Sequence, residues 1–402
     1  MEDKYVELLI EKCTNLKNNK VLFITYEKEV KDFVSKLVSY ADGIGVSDIY
    51  LEEEDISYTH DLLNKLSLEE IEKHPYFNKK IWDTYAEKGA SFLIIETEHP
   101  HVFDDIDSEK IGLMGKLKRS TKPLYRKLQR KCKLPWCIAC YPGKIWANDV
   151  FPNDAEAYEK LKSYIFKVCM LEEERPALAW DKFIERNTAV RDKLNSLGLK
   201  KLHYTNSLGT DLYIYLPDGY LYAGGKDELC IVNMPSYEVF TSPVWNKTEG
   251  IVYSSKPLIY NGSLIDNFWI RFENGKVTSF DAEVGKDVLD EIINTDEYSC
   301  YLGEAALVEK DSPIAALGFN FGTTLIDENA SCHLALGAGF SECIKDGLEM
   351  SVEELREKGI NDSKQHVDFM IGTDDLNITA ETIDGEEIVV FENGKFSSLI
   401  LD

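Results

Sequence analysis

The chain contains no apolar run approaching the roughly 20 residues that cross a bilayer, so none of its 402 residues is expected to form a membrane span. It also lacks a cationic start followed by an uninterrupted apolar stretch. The opening MEDKYVELLIEKCTNLKNNK reads as an amphipathic helix with early acidic residues, not as a secretion signal, which implies a cytoplasmic protein. Positive charge is scarce. Lys and Arg number 45 against 71 Asp and Glu, for a net charge of −26, and such a surface argues against nucleic acid and anionic membranes as partners. There is no disulfide framework either: nine cysteines, an odd number spread along the chain, read as reduced thiols. No GxSxG elbow and no GxxxxGK[ST] loop occur, which removes the compact signatures of serine hydrolases and P-loop proteins.

What is present suits a large globular protein. With 44% hydrophobic and 11% aromatic residues, a chain of this length can build two cores. The first half alternates. VLFITY (Val21 to Tyr26), VSDIYLEEED, SFLIIET (Ser91 to Thr97) and PWCIACYP (Pro135 to Pro142) read as strands. Helical stretches such as KEVKDFVSKLVSYADGIG, Asp154 to Met170 and Trp180 to Ser196 lie between or after them. Apolar strands alternating with helices predict an α/β N-terminal domain with a mainly parallel sheet. Near Gly198 the pattern changes. LHYTNSLGTDLYIYLPDGYLY alternates and is expected to form a hairpin turning at Pro217-Asp218-Gly219. Short strands follow, with Asn-Gly turns at Asn261 and Asn274. The second half is therefore predicted to be a β-rich α+β domain, giving domains 1–197 and 198–402.

Several local features compete for a functional reading. The basic run Lys116 to Lys133 lacks the interleaved aromatics that base stacking needs and is read as a solvated helix face. Cys137 and Cys140 lie inside an apolar run, so buried strand thiols suit them better than redox chemistry. His99-Pro100-His101 follows a strand and is read as a surface loop. Gly224-Gly225-Lys226 is read as a turn, not a phosphate loop. Cys332 precedes His333, and neighbours on a strand face opposite ways, so the pair makes a poor nucleophile and base.

The segments TLIDENASCHLALG (Thr324 to Gly337) and HVDFMIG (His366 to Gly372) carry more. They set two of seven histidines beside carboxylates. His366 and Asp368, two apart in a β-type run, would point to one face. An imidazole and a carboxylate so placed suit a divalent metal, and His333 would add a third ligand. Spacing alone leaves open that these are hydrogen-bonded core histidines.

Four blocks extend the pattern: NMPSYEVFTSP (Asn233 to Pro243), YLGEAALV (Tyr301 to Val308), TLIDENASCHLALG and HVDFMIGTDDLNI (His366 to Ile378). In order and spacing they resemble the thermophilic aminopeptidase family, the aminopeptidase T and aminopeptidase S type of metallopeptidase. Fainter likeness runs through GTDLYIYLPDG (Gly209 to Gly219) and YPGKIWA (Tyr141 to Ala147). The resemblance implies the metal ligands Glu238, Glu304, His333, His366 and Asp368. It also implies a homodimer acting on short peptides. One position departs. The resemblance leads to an expected Tyr seven residues after His333, where this chain has Phe340.

Five nitrogen and oxygen ligands are too many for one catalytic zinc with an open position. They suit two divalent ions (Zn, Co, Mn or Mg) sharing a carboxylate. The expected activity is an aminopeptidase in which Glu238 or Glu304 moves the proton of a metal-bound water. The alternative is a catalytically weak or inactive relative that binds peptide or metal, suggested by Phe340.

Overall fold

The computed structural model describes residues 1–224, 229–260 and 263–401. Two features expected from sequence, part of the Gly224-Gly225-Lys226 turn and the Asn261 turn, lie outside the described residues. The chain divides into two compact units, Met1–Trp180 with Lys226–Pro235, and Asp181–Gly225 with Ser236–Asp402.

The first unit is built on a parallel five-stranded sheet in the order Asp48–Glu54, Val21–Glu27, Ser91–Glu96, Trp136–Cys140, Asn233–Met234. The four strands expected from sequence are its first four. The Val21–Glu27 strand, an interior strand of this sheet, buries five consecutive residues, as a strand covered on both faces must, and so shows no alternation. Phe23, Trp82, Phe92 and Tyr125 pack together against it. The Phe23 and Phe92 ring centroids are 4.9 Å apart.

The basic run corrects one expectation. It is two helices, Ser108–Ser120 and Pro123–Arg130, the second starting at a proline that suits a first helical turn. Lys118 reaches Glu54 at 2.9 Å, and the Lys122 ammonium lies 3.7 Å from the centre of the Trp82 ring. Burial lowers the Lys122 pKa to about 8. Part of the run therefore turns inward onto carboxylates and an aromatic face.

The second unit holds two antiparallel sheets. The larger has nine strands. Leu199–Thr205 is flanked in it by Asp211–Tyr215 and Asn377–Thr382. The hairpin does not turn at Pro217. It turns at Asn206 to Gly209, where the Asn206 side-chain oxygen accepts the N–H groups of Leu208 and Thr210 and Gly209 takes a positive φ. An Asx turn closed by glycine outcompetes the proline turn that follows. The smaller sheet has the order His366–Met370, His333–Gly337, Leu302–Leu307, Val239–Thr241.

Candidate metal centre

The smaller sheet gathers the five expected ligands by register alone. Glu304 lies opposite Ala335, and Ala335 lies opposite Asp368, so Glu304 and Asp368 share a face. His333 shares it through the period of two with Ala335, and His366 through the same period with Asp368. Phe240 pairs with Ala306, which places Glu238, two residues earlier, on that side as well. The other face carries Val239, Ala305, Leu307, Leu334, Leu336, Val367 and Phe369, all in the apolar core shared with the larger sheet. Each buried leucine or phenylalanine contributes about 1.5–3 kcal/mol, which fixes the register and with it the ligand face.

A bulge aims Glu304. Leu302 pairs with Leu336 on the core face, yet Glu304 pairs with Ala335 on the ligand face. The extra residue is Gly303, where a Cβ would collide with the backbone oxygens of Ala338 and Gly337. Only glycine fits the bulge that turns Glu304 toward the histidines.

The ligand atoms converge. Glu238, Glu304 and His333 form one group, and Glu304, His366 and Asp368 another, with the ligand atoms of each group within 4.8 Å of one another. His333 Nε2 is 3.1 Å from Glu238 Oε2. His366 Nε2 is 2.9 Å from Glu304 Oε2 and 3.1 Å from Asp368 Oδ1. Each ring donates its other nitrogen to a backbone carbonyl, His333 Nδ1 to Ser331 at 3.2 Å and His366 Nδ1 to Ala338 at 2.7 Å. That arrangement fixes both rings with Nε2 facing the carboxylates, as in histidines that bind metal. Two imidazoles and three carboxylates, four of the five side chains buried, fit divalent ions.

Electrostatics follows from this crowding. Burial disfavours the charged form of His333, but Glu238, then Glu304 and Asp368, outweigh it and raise its pKa to about 10. His366 is raised well above the usual imidazole value, with burial outweighed by Asp368 and Glu304. Burial pushes the Asp368 carboxyl up, and His366 pulls it lower still. Glu304 goes the other way, raised first by burial. A metal entering here displaces protons, so its binding tightens as pH rises.

Glu328 was not among the residues singled out from sequence. Its carboxyl is raised well above the usual range by burial, then by Asp368 and Glu238, with His333 opposing; it therefore faces the same cluster. Its neighbours explain its placement. Asp327 accepts the N–H groups of Phe321, Gly322 and Thr323, and so clamps the turn before it. The Asn329 side chain accepts the Tyr237 N–H, which ties this turn to the segment bearing Glu238. The signal was present: Glu328 lies five residues before His333 in the same block.

Phe340 also borders the cluster. Its ring centroid is 5.0 Å from those of His366 and Phe240, and its N–H donates to Ser242 Oγ at 2.8 Å. The remaining candidates lie elsewhere. Cys137 and Cys140 are buried strand residues, and burial raises the Cys137 thiol well above its usual value. His101 is exposed and pairs with Asp104 at 3.0 Å. His99 has both ring nitrogens buried. Cys332 turns away from His333, its sulfur 3.4 Å from the backbone N and O of Val308.

Comparison with known proteins places the chain in a family. Aminopeptidase AmpS of Bacillus subtilis is 36% identical over 98% of this chain and 97% of its own. Aminopeptidase T of Thermus aquaticus is 31% identical over 98% of each. The solved structure of wild-type AmpT from Thermus thermophilus superposes with a TM-score of 0.88, at 30% identity over 98% of both chains. Residues 2–396 match the thermophilic metalloprotease family M29, and the chain belongs to that family of metal-dependent peptidases.

Proposed function

We propose that the protein is a metal-dependent aminopeptidase that removes N-terminal residues from short peptides, with two divalent ions held by Glu238, Glu304, His333, His366 and Asp368. The observation that carries this reading is the double membership of Glu304 in the two ligand groups. One carboxylate common to two sets is the donor arrangement of a cocatalytic pair. The names of the relatives support the aminopeptidase reading. When bound, such a pair supplies a water of near-neutral pKa and a polarised carbonyl.

The protein's own groups do the rest. The carbonyls of Ser331 and Ala338 hold the two imidazoles in orientation. Glu238 and Glu304 were the carboxylates first open to proton transfer. Both approach an imidazole, and we assign them to holding the ions. Glu328, its carboxyl raised well above the usual range by burial and paired with neither histidine, is then the group that takes the water's proton and gives it to the leaving amine. We place this chemistry in residues 198–402, in a cytoplasmic homodimer with peptides as its partners.

The test is hydrolysis of a short peptide and of its N-acetylated form by cobalt- or zinc-loaded protein. Cleavage confined to the free-amine peptide is expected. Equal cleavage of both would overturn the aminopeptidase reading in favour of an endopeptidase or amidase.

A further inference from the structure

Asn329 follows Glu328 in the short turn Glu328–Ala330 and is wholly buried. Every polar group of its side chain is committed. Oδ1 accepts the Tyr237 N–H. Nδ2 donates to the Leu325 carbonyl at 3.4 Å and to Glu328 Oε1 at 3.3 Å. A backbone N–H can only donate and a backbone carbonyl can only accept, so the amide has a single orientation, with its donor toward Glu328. The Asn329 main chain is fixed as well, its carbonyl accepting from Ser312 Oγ at 3.0 Å. Tyr237 is also held from its other end, where its carbonyl accepts from Asn187 Nδ2 at 3.4 Å.

One buried amide thus reaches two parts of the proposed machinery. Tyr237 immediately precedes Glu238, assigned to hold an ion, and Glu328 is assigned to take the water's proton. A glutamate side chain turns about three torsions, and a proton acceptor works only within hydrogen-bond reach of its donor. A donor on Oε1 removes most of that freedom and leaves Oε2 for the proton. We infer that Asn329 is a positioning residue for proton transfer: it holds Glu328 Oε1 and the backbone entering Glu238 in one frame, so that the proton-accepting oxygen keeps its place relative to the ion site. The inference rests on the proton-transfer role proposed for Glu328. Asn329 acts through these two neighbours and is not a catalytic residue itself.

The experiment is a double-mutant cycle on zinc-loaded full-length protein with an aminoacyl p-nitroanilide as substrate. Asn329→Asp keeps the side-chain size and an oxygen for the Tyr237 N–H, and replaces the donor to Glu328 by a second oxygen. Its kcat should fall about 10–100-fold, the scale of a reacting group misplaced by about 1 Å, with KM and metal content close to those of the parent. In a Glu328→Gln background the same substitution should lower kcat by no more than about threefold, because the group that Asn329 places is gone. Should the added charge unfold Asn329→Asp, Asn329→Ala at saturating zinc carries the cycle, with a loss at least about tenfold larger in the presence of Glu328 than in Glu328→Gln. Equal losses in both backgrounds, or loss of metal from Asn329→Asp, would overturn the inference by reducing Asn329 to a structural residue. A near-parental kcat in Asn329→Asp beside an impaired Glu328→Gln would overturn it while leaving Glu328 as the base. A near-parental kcat in Glu328→Gln alone would instead overturn the base assignment, and this inference with it.

Discussion

Glu304 Oε2 and His366 Nε2 meet at 2.9 Å across 62 residues of sequence. The same carboxylate also belongs to the group of Glu238 and His333. Glu304 is therefore the hinge of the arrangement: the other four ligands belong to one group each.

This asymmetry makes a stoichiometric prediction. Glu304→Ala should cost both ions, whereas His333→Ala and His366→Ala should each cost mainly one. Elemental analysis of the purified variants, with circular dichroism to confirm folding, decides the matter. A Glu304→Ala protein that keeps one full equivalent while either histidine variant loses two would show that Glu304 is not shared.

Glu328 yields a kinetic prediction. Glu328→Gln keeps the side-chain volume and removes the titrating group. The rate constant kcat should fall by about 10²–10⁴, the usual worth of a general acid–base, while KM and metal content stay close to those of the parent. A drop within a few-fold would return the proton-transfer role to Glu238 or Glu304. Loss of metal would make Glu328 a ligand instead.

Much of the centre was legible in sequence because strands repeat every two residues. His366 and Asp368 announce a shared face by spacing alone, and the apolar residues between the ligands announce the core face. Three things were not legible. The bulge at Gly303 reverses the parity that Leu302 and Glu304 would otherwise share, and a lone glycine in a strand does not say which way it turns the chain. Glu328 sits in a tight turn, where no periodicity reveals direction, and only the hydrogen bonds of Asp327 and Asn329 fix it. The hairpin at Asn206 was misplaced because two turn signals stood ten residues apart, and the Asx turn closed by Gly209 won. The basic run misled for a different reason. Lysine stems bury readily, so Lys118 and Lys122 pack inward despite their charge.

Glu96 predicts a pH dependence of stability away from the metal centre. Burial, helped by Glu98 and Glu54, pushes its pKa up to about 7 from 4.5. The folded state therefore keeps a proton that the unfolded chain releases. The stability this contributes is complete below about pH 4.5 and is lost as pH rises through about 7. Glu96→Gln stays neutral throughout. Its Tm should exceed that of the parent by about 3 °C at pH 8, with the difference vanishing at pH 4. A gain of equal size at both values would point to packing, not ionisation.

Phe340 tests how far the chain departs from its relatives. The resemblance leads to an expected tyrosine at this position, and the structure puts the ring 5.0 Å from that of His366, against the edge of the cluster. Phe340→Tyr keeps the ring volume and adds one oxygen next to the groups that would face developing charge. A hydrogen bond to such charge is commonly worth roughly 10²–10³ in rate, so recovering even part of it should raise kcat several-fold at unchanged metal content. The comparison is made on metal-loaded parent and variant with the same aminoacyl chromogenic substrate. An unchanged or lower kcat would mean that the ring only packs against His366 and Phe240, and that turnover in this chain proceeds without a phenolic oxygen.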